Sequence, residues 1–261
     1  MDRERFSSVG MHFAALPAMS APRLRVMSYN IRNGRGSDDR VDLERIASVI
    51  VSFEPDVVAL QEVDAGRPRS GTVDQAGELA ARLGLSAQFA PCIERACEQY
   101  GIATLTREAA LATRQVELPA FADRRGSEPR RALVTRVRWP GSDATIDVVN
   151  THLSRLAAER PAQVAALTDA LGGDDMILAG DLNCWPWSAP YRALSCHLRS
   201  ATGRSRTWPA RAPIVPIDHI LYRGELAVIE AGAWRGGAAR RASDHLPVVA
   251  VFEHRAKQEA A

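Results

Sequence analysis

Asp181 and Asn183 stand two residues apart, after the apolar run Met176-Ile177-Leu178-Ala179 and Gly180. A short apolar run bounded by glycine reads as a buried strand. Alternation along an extended backbone sends the side chains at i and i+2 to the same side. A carboxylate and a carboxamide therefore point together beyond the strand end, where open α/β sheets bind ligands. Alone the pattern is weak, since Asp and Asn also cap strand-to-turn transitions. It gains weight because other strands finish alike: their ends deliver Asn30, Glu62, Asn150 with His152, and Asp218 with His219. The turn before the last strand adds Asp244 and His245. Bundled carboxylates repel and desolvate one another without a cation. Oxygen ligands from Glu62, Asp181 or Asp244 plus waters suit Mg²⁺ (or Mn²⁺) better than a zinc site of His and Cys.

The elements that must position these groups follow from periodicity. Arg23 to Tyr29 alternates as a strand ending at Asn30, and Val57-Val58-Ala59-Leu60 is a buried strand delivering Gln61 and Glu62. Helices are expected from Val41 to Phe53, with Asp39 or Asp42 placed to cap, and from Gln75 to Leu83, stopped by Gly84. Two more are expected from Leu156 to Leu171 and from Ala189 to Ser195. Ser86 to Ala90 and Gly101 to Thr106 read as short strands, and 107–131 as an extended connection. Ala132 to Trp139 and Ala144 to Val149 flank Pro140-Gly141-Ser142-Asp143 as a hairpin. Residues 199–216 and 235–241 read as Arg-rich loops, with strands at Ile217 to Tyr222, Leu226 to Ala231 and Leu246 to Phe252.

Residues 1–22 read as a loosely ordered leader and residues from His254 onward as a polar tail, leaving 23–253 as one domain with no internal repeat. The chain holds 261 residues with 33 basic against 31 acidic side chains, so no global field demands a polyanion. Lys257 is its only lysine. Arginine suits bidentate phosphate contacts, although base composition of a genome produces the same bias. None of Cys92, Cys97, Cys184 and Cys196 forms a metal-binding spacing; buried free thiols are expected rather than a Cys92–Cys97 disulfide. No run approaches a membrane span. Val9 to Met19 makes a poor signal peptide, so a cytoplasmic protein without a required protein partner is expected.

The ordered set S-Y-N-I, L-Q-E-V, N-T-H-L, G-D-L-N, I-D-H-I and S-D-H-L-P-V resembles the endonuclease/exonuclease/phosphatase superfamily, over about Arg23 to Phe252. That group includes pancreatic deoxyribonuclease, apurinic-site endonucleases, neutral sphingomyelinases and inositol polyphosphate 5-phosphatases. The resemblance implies an α/β fold of α+β type: a four-layer sandwich, two mixed β-sheets face to face with helices outside. It also implies metal-dependent phosphoester hydrolysis. Carried onto this chain, it makes Glu62 the principal metal ligand, with Asn30 beside it and Asp244 backing the metal through water. Asp181 then positions and helps deprotonate the attacking water, and Asn183 holds the phosphate. His245 contacts a phosphoryl oxygen or transfers a proton, with its tautomer fixed by Asp218, and His152 is the second imidazole. Tyr100, Arg107 and Arg131 lie where relatives place phosphate-contacting groups. His219 is turned away by alternation, and Asp56 and Asp64 read as surface or cap residues.

For the substrate, apurinic-site endonucleases follow the Q-E pair with Thr-Lys, whereas Val63-Asp64 stands here. The Q-E-V-D and N-T-H-L forms look more like the phosphodiesterase and phosphatase branch, which favours a small or lipid-headgroup phosphoester. Nucleic acid is the alternative: Arg199, Arg204, Arg206, Arg211, Arg235, Arg240 and Arg241 would give a cationic mouth if their loops rim the cleft. An inactive phosphate-binding module is the third reading. Trp185, Trp187 and Trp208 are candidate stacking platforms or loop anchors.

Overall fold

The structure, a computed structural model, describes residues 21–254. In chain order these form β1 (Arg23–Asn30), α1 (Leu43–Val51), β2 (Val57–Ala65), α2 (Gln75–Leu83), β3 (Ser86–Arg95) and β4 (Glu98–Thr106). Next come β5 (Ala112–Leu118), β6 (Arg130–Arg138), β7 (Thr145–His152), α3 (Arg160–Ala170), β8 (Met176–Asp181) and α4 (Ala189–Ser195). Then follow β9 (Arg199–Ser200), β10 (Asp218–Arg223), β11 (Leu226–Ala233), α5 (Ala239–Ala242) and β12 (Val248–His254). Two six-stranded sheets result, ordered β11-β12-β1-β2-β4-β3 and β5-β6-β7-β8-β10-β9. Each is mixed: β1 runs parallel to β2 and β7 parallel to β8, while their other neighbours run antiparallel.

Leu24, Val26, Val57, Ala59, Val148, Ile177, Ala179 and Ile220 fill the layer between the sheets. Helices α1 and α2 cover the outer face of the first sheet with Ile46, Ile50 and Leu79. Helices α3 and α4 cover the second with Val164, Leu167 and Leu194. This is the four-layer sandwich. Each fully buried Ile or Leu of these stripes contributes about 1.5–3 kcal/mol. Asp42 and Asp74 cap α1 and α2 by accepting from the Arg45 and Gly77 backbone N–H groups, and Gly84 closes α2 at φ 64°.

Several boundaries differ from expectation for local reasons. Helix α3 starts at Arg160, because Pro161 lacks an N–H and fits only the first turn. The 107–131 connection contains β5, an edge strand whose largely exposed, polar surface carries no apolar alternation. Strands β3 and β4 extend past the expected segments into a solvated hairpin tip. The 235–241 loop contains α5. All four cysteines are free, but Cys97 and Cys196 are exposed rather than buried. The expected leader lies outside the described residues apart from Ala21 and Pro22, whose carbonyl accepts the Trp139 indole N–H at 3.1 Å. His254 belongs to β12 rather than to the tail. No helix among the described residues is long and apolar enough to cross a membrane.

Candidate active site

The inward-facing rows of both sheets change chemistry at one end. On β1, Leu24 and Val26 give way to Ser28 and Asn30; on β7, Val148 gives way to Asn150 and His152. On β8, Ile177 and Ala179 give way to Asp181, and on the antiparallel β10, Ile220 is preceded by Asp218. The register sets His152 beside Asp181 and Asp181 beside Asp218. Period-2 alternation therefore lays an imidazole and two carboxylates in a row across three strands.

Glu62 reaches the same place by breaking that alternation. The β2–β4 register shifts between Gln61 and Val63, so Glu62 is the extra residue of a β-bulge, with φ 57°. Gln61 points between the sheets and donates to Asn150 Oδ1 at 2.8 Å, while Val63 packs on the outer core. A non-glycine residue at positive φ inside a strand is a backbone cost of about 1–3 kcal/mol, the kind found where function re-aims a side chain. The bulge also explains Asp64, which is fully buried rather than at the surface. It accepts from Arg69 Nε and Nη2, each at 2.8 Å, and from Ser70 Oγ at 2.9 Å.

Asn30 joins the two sheets. Its Nδ2 donates to Glu62 Oε1 and to Asp181 Oδ2, each at 3.0 Å, and its Oδ1 accepts from the Arg32 backbone N–H at 3.1 Å. The carboxamide oxygen expected beside a metal is thus engaged by the chain itself. The Asn30 amide nitrogen holds the two carboxylates together. Ser243 Oγ donates to the Asn30 carbonyl at 2.8 Å and accepts from His245 N at 3.3 Å, which clamps the Ser243-Asp244-His245 turn onto the end of β1. Asp244 lies half-exposed, 3.8 Å from Arg32 Nε.

The two imidazoles sit in opposite electrostatic settings. His245 Nδ1 donates to Asp218 at 3.0 Å and its Nε2 lies 3.9 Å from Asp181. Burial alone lowers its pKa, but Asp218, with Asp181 and Asp244, outweighs that and raises it to about 10. His152 is pushed well below the usual histidine value by burial, then by Arg130, His245 and Arg155. A guanidinium only donates, so at the Arg130 Nη1 contact of 3.2 Å His152 Nδ1 is the acceptor. Its Nε2 lies 3.5 Å from Asp181 and 3.1 Å from the Asn183 amide nitrogen, itself a donor. Asn183 takes φ 49°, closes an Asx turn from its N–H to Asp181 Oδ1 at 2.9 Å, and donates to the Leu153 carbonyl at 2.9 Å. Asp181 is raised to about 7, by burial first and then by Asp218, against the opposing pull of His245.

Asp181, Asp218 and His245 bring ligand atoms within 4.8 Å of one another. Asp218 is nevertheless committed to His245 and to Thr207 Oγ1, whereas His245 reaches Asp181 only at 3.9 Å. The donor set that fits a hard cation is the carboxylate pair Glu62 and Asp181, flanked by Asp244, all oxygen and opening onto one cleft of about 440 Å³.

Not every expected residue lies here. Tyr100 does: it is buried in the wall of the depression that Glu62 also lines. Arg107 does not. It follows the far end of β4, opposite the start of β2, where Asp56 accepts from its Nε at 2.9 Å. Arg131 ties β6 to its neighbours through the Pro91 carbonyl at 2.6 Å and Glu117 at 3.1 Å. The adjacent Arg130 reaches the site instead; nothing in a pair of arginines at a strand start says which one turns inward. None of the seven loop arginines expected at the mouth lines either depression beside Glu62. Arg199 stacks on Tyr222 at 4.7 Å, away from Asp218 along β10. Trp185 and Trp208 do line the cleft, and Trp187 packs edge-on against Trp185 with centroids 5.0 Å apart. His219 is buried, with Nε2 3.0 Å from the Cys184 carbonyl and its ring against Tyr191, a packing role.

The model of the Endonuclease/Exonuclease/phosphatase family matches residues 27–245. YbhP of Escherichia coli (strain K12), an uncharacterised protein, is 30% identical over 139 residues, 48% of this chain and 53% of YbhP. The chain spans about half the length of the curated relatives it matches. An endonuclease/exonuclease/phosphatase structure from Beutenbergia cavernae superimposes with TM-score 0.73 at 26% identity, covering 92% of this chain and 74% of that one. The mannosyl-6-phosphatase of Bacteroides thetaiotaomicron shares the fold with TM-score 0.68 at 18% identity, covering 88% of this chain and 99% of that one.

Proposed function

The chain belongs to the Endonuclease/Exonuclease/phosphatase family, and on that premise we propose that it is a Mg²⁺- or Mn²⁺-dependent hydrolase of phosphoester bonds acting on small phosphodiesters. The observation that carries this reading is the Asn30 amide nitrogen 3.0 Å from both Glu62 and Asp181, which draws one carboxylate from each sheet to a single point. Glu62 and Asp181 would hold the ion, together with Asp244 of the same cleft. When bound, it supplies Lewis acidity toward the phosphoryl oxygens and acidifies water. The protein's own groups divide the remaining work. Asp181 orients the attacking water and accepts its proton. Neutral His152 and Asn183 hydrogen-bond phosphoryl oxygens where charge builds. His245, kept cationic by Asp218, gives a proton to the departing oxygen. The family membership and a phosphatase among the structures of like fold support the reaction class. Exposed thiols at Cys97 and Cys196 support a reducing compartment such as the cytoplasm.

The test is hydrolysis of bis-p-nitrophenyl phosphate with Mn²⁺, Mg²⁺ or EDTA, in wild type and Glu62→Gln. Metal-dependent turnover that falls at least about 100-fold in the variant is expected. Turnover that survives EDTA, or equal rates for both proteins, overturns the proposal. A nuclease is the second reading, favoured by the arginines that line the depression beside Glu62; it requires activity on DNA or RNA that falls steeply with salt.

A further inference from the structure

Two depressions meet at Glu62 and Arg155. The first holds His152, Asp181 and His245, and is closed further out by Trp185, Trp208 and Ile217. The second, of about 790 Å³, is lined by Arg67, Arg69, Arg95, Arg130 and Arg155. Three carboxylates share its wall, Glu62, Glu94 and Glu128. They do not balance it. Glu128 is committed to Arg130 Nη2 at 2.9 Å, and Glu94 lies against Arg131 at 4.0 Å and accepts from Gln99 at 3.1 Å. Glu62 is the one already drawn toward Asn30.

The arginines are prepared to different degrees. Asp64, buried below, holds Arg69 at 2.8 Å and Arg67 at 3.8 Å, and both guanidinium planes rest over the Tyr100 ring, at 5.3 and 5.7 Å. Arg130 is 96% buried by side-chain area, being 4% exposed, and its Nε meets no hydrogen-bond partner. Arg95 and Arg155 make no side-chain hydrogen bond or ion pair among the described residues. Two unpaired cations, Arg95 and Arg155, beside the buried Arg130 are a recognition surface for an anion.

We infer that the substrate is a phosphodiester with two unlike arms: one bearing a second phosphate, seated among Arg67, Arg95, Arg130 and Arg155, and the other flat or apolar, lying against Trp185 and Trp208. The inference rests on the hydrolase reading above for where the scissile phosphate sits. It also excludes a class. A choline-type cationic headgroup in the Arg-lined depression meets like charge, so phosphocholine esters are poor substrates despite the sphingomyelinase-like Q-E-V-D motif.

Three chromogenic esters test this with Mn²⁺: thymidine 3′-phosphate 5′-(p-nitrophenyl phosphate), thymidine 5′-(p-nitrophenyl phosphate) and p-nitrophenyl phosphocholine. The second phosphate is expected to raise kcat/KM at least about tenfold, through KM, with the phosphocholine ester slowest. In Arg95→Ala/Arg155→Ala the ratio between the first two esters collapses toward one, and in Arg95→Lys/Arg155→Lys part of it returns. Because the ratio is taken on one enzyme preparation, a loss of folded protein cancels. Calorimetry with thymidine 3′,5′-bisphosphate and metal-free protein reads the subsite without turnover. Binding that the double alanine variant loses, with no ester hydrolysed, supports the subsite and overturns the hydrolase reading. Equal kcat/KM for the first two esters, or a ratio unchanged in the double alanine variant, overturns the subsite alone. Faster cleavage of a single-stranded oligonucleotide than of the small bisphosphate ester overturns the small-substrate assignment.

Discussion

Asp181 and Asp218 are register partners on the antiparallel strands β8 and β10, so the sheet itself forces two carboxylates onto the same face. Like charges directly opposite destabilise a sheet. The arrangement persists because His245 stands between them, 3.0 Å from Asp218 and 3.9 Å from Asp181. One consequence follows for each partner.

Asp218 holds the proton on His245. In metal-free protein, ¹⁵N NMR should show His245 as imidazolium at pH 8, titrating near 10. In Asp218→Asn it should titrate far lower, with activity falling by about 10²–10⁴-fold. The folded pKa lies above the ordinary 6.5. The stability this pair contributes is therefore fully present below pH 6.5 and lost as pH rises through about 10.

Asp181 is the destabilised partner. Its folded pKa of about 7 exceeds the ordinary 3.8, so the native-state cost is absent below pH 3.8 and complete above pH 7. Asp181→Asn should abolish activity yet stabilise metal-free protein at pH 8 by about 1–3 kcal/mol. At pH 5 the gain should be much smaller. Thermal unfolding of both proteins at both pH values checks the sign.

Asn30 offers a different test, because its amide touches both carboxylates and its oxygen is engaged elsewhere. Removing an outer partner of ligating carboxylates typically costs about 10–100-fold in metal affinity. Asn30→Ala should weaken Mn²⁺ binding by that factor in calorimetry while the fold is kept. Unchanged affinity would mean that Glu62 and Asp181 need no tie.

Asn150 looked like a site residue from its place before His152, but it works as a rivet. Its Nδ2 donates to the Leu60 and Ala103 carbonyls at 3.0 and 2.8 Å across the sheet interface, and its Oδ1 accepts from Gln61 at 2.8 Å. Asn150→Ala strands these buried groups at a cost of about 2–4 kcal/mol. Urea unfolding should register that loss, while kcat of the folded fraction falls less than tenfold.

Much of this architecture was legible in the residues. The periodic segments located most strands, and alternation at their ends set Asn30, His152, Asp181 and Asp218 together, while the two face-to-face sheets were implied by the family resemblance. What stayed hidden is non-local. The bulge at Glu62 inverts the pattern after it and buries Asp64, and no periodicity marks an inserted residue. Strand β5 is a polar edge whose pairing with β6 supplies its order. Arg130 and Arg131 are indistinguishable until the neighbours of β6 are known. The arginines beside the site come from four separate segments, whereas the loops richest in arginine lie elsewhere.

The most direct measurement is electron–nuclear double resonance of Mn²⁺ with inorganic phosphate on the protein. Wild type should show bound Mn²⁺ with a ³¹P coupling, and Glu62→Gln/Asp181→Asn should return the spectrum of the free hydrated ion. A free-ion spectrum from wild type, or a ³¹P coupling that survives both substitutions, would contradict a phosphoryl-gripping cation held by these carboxylates.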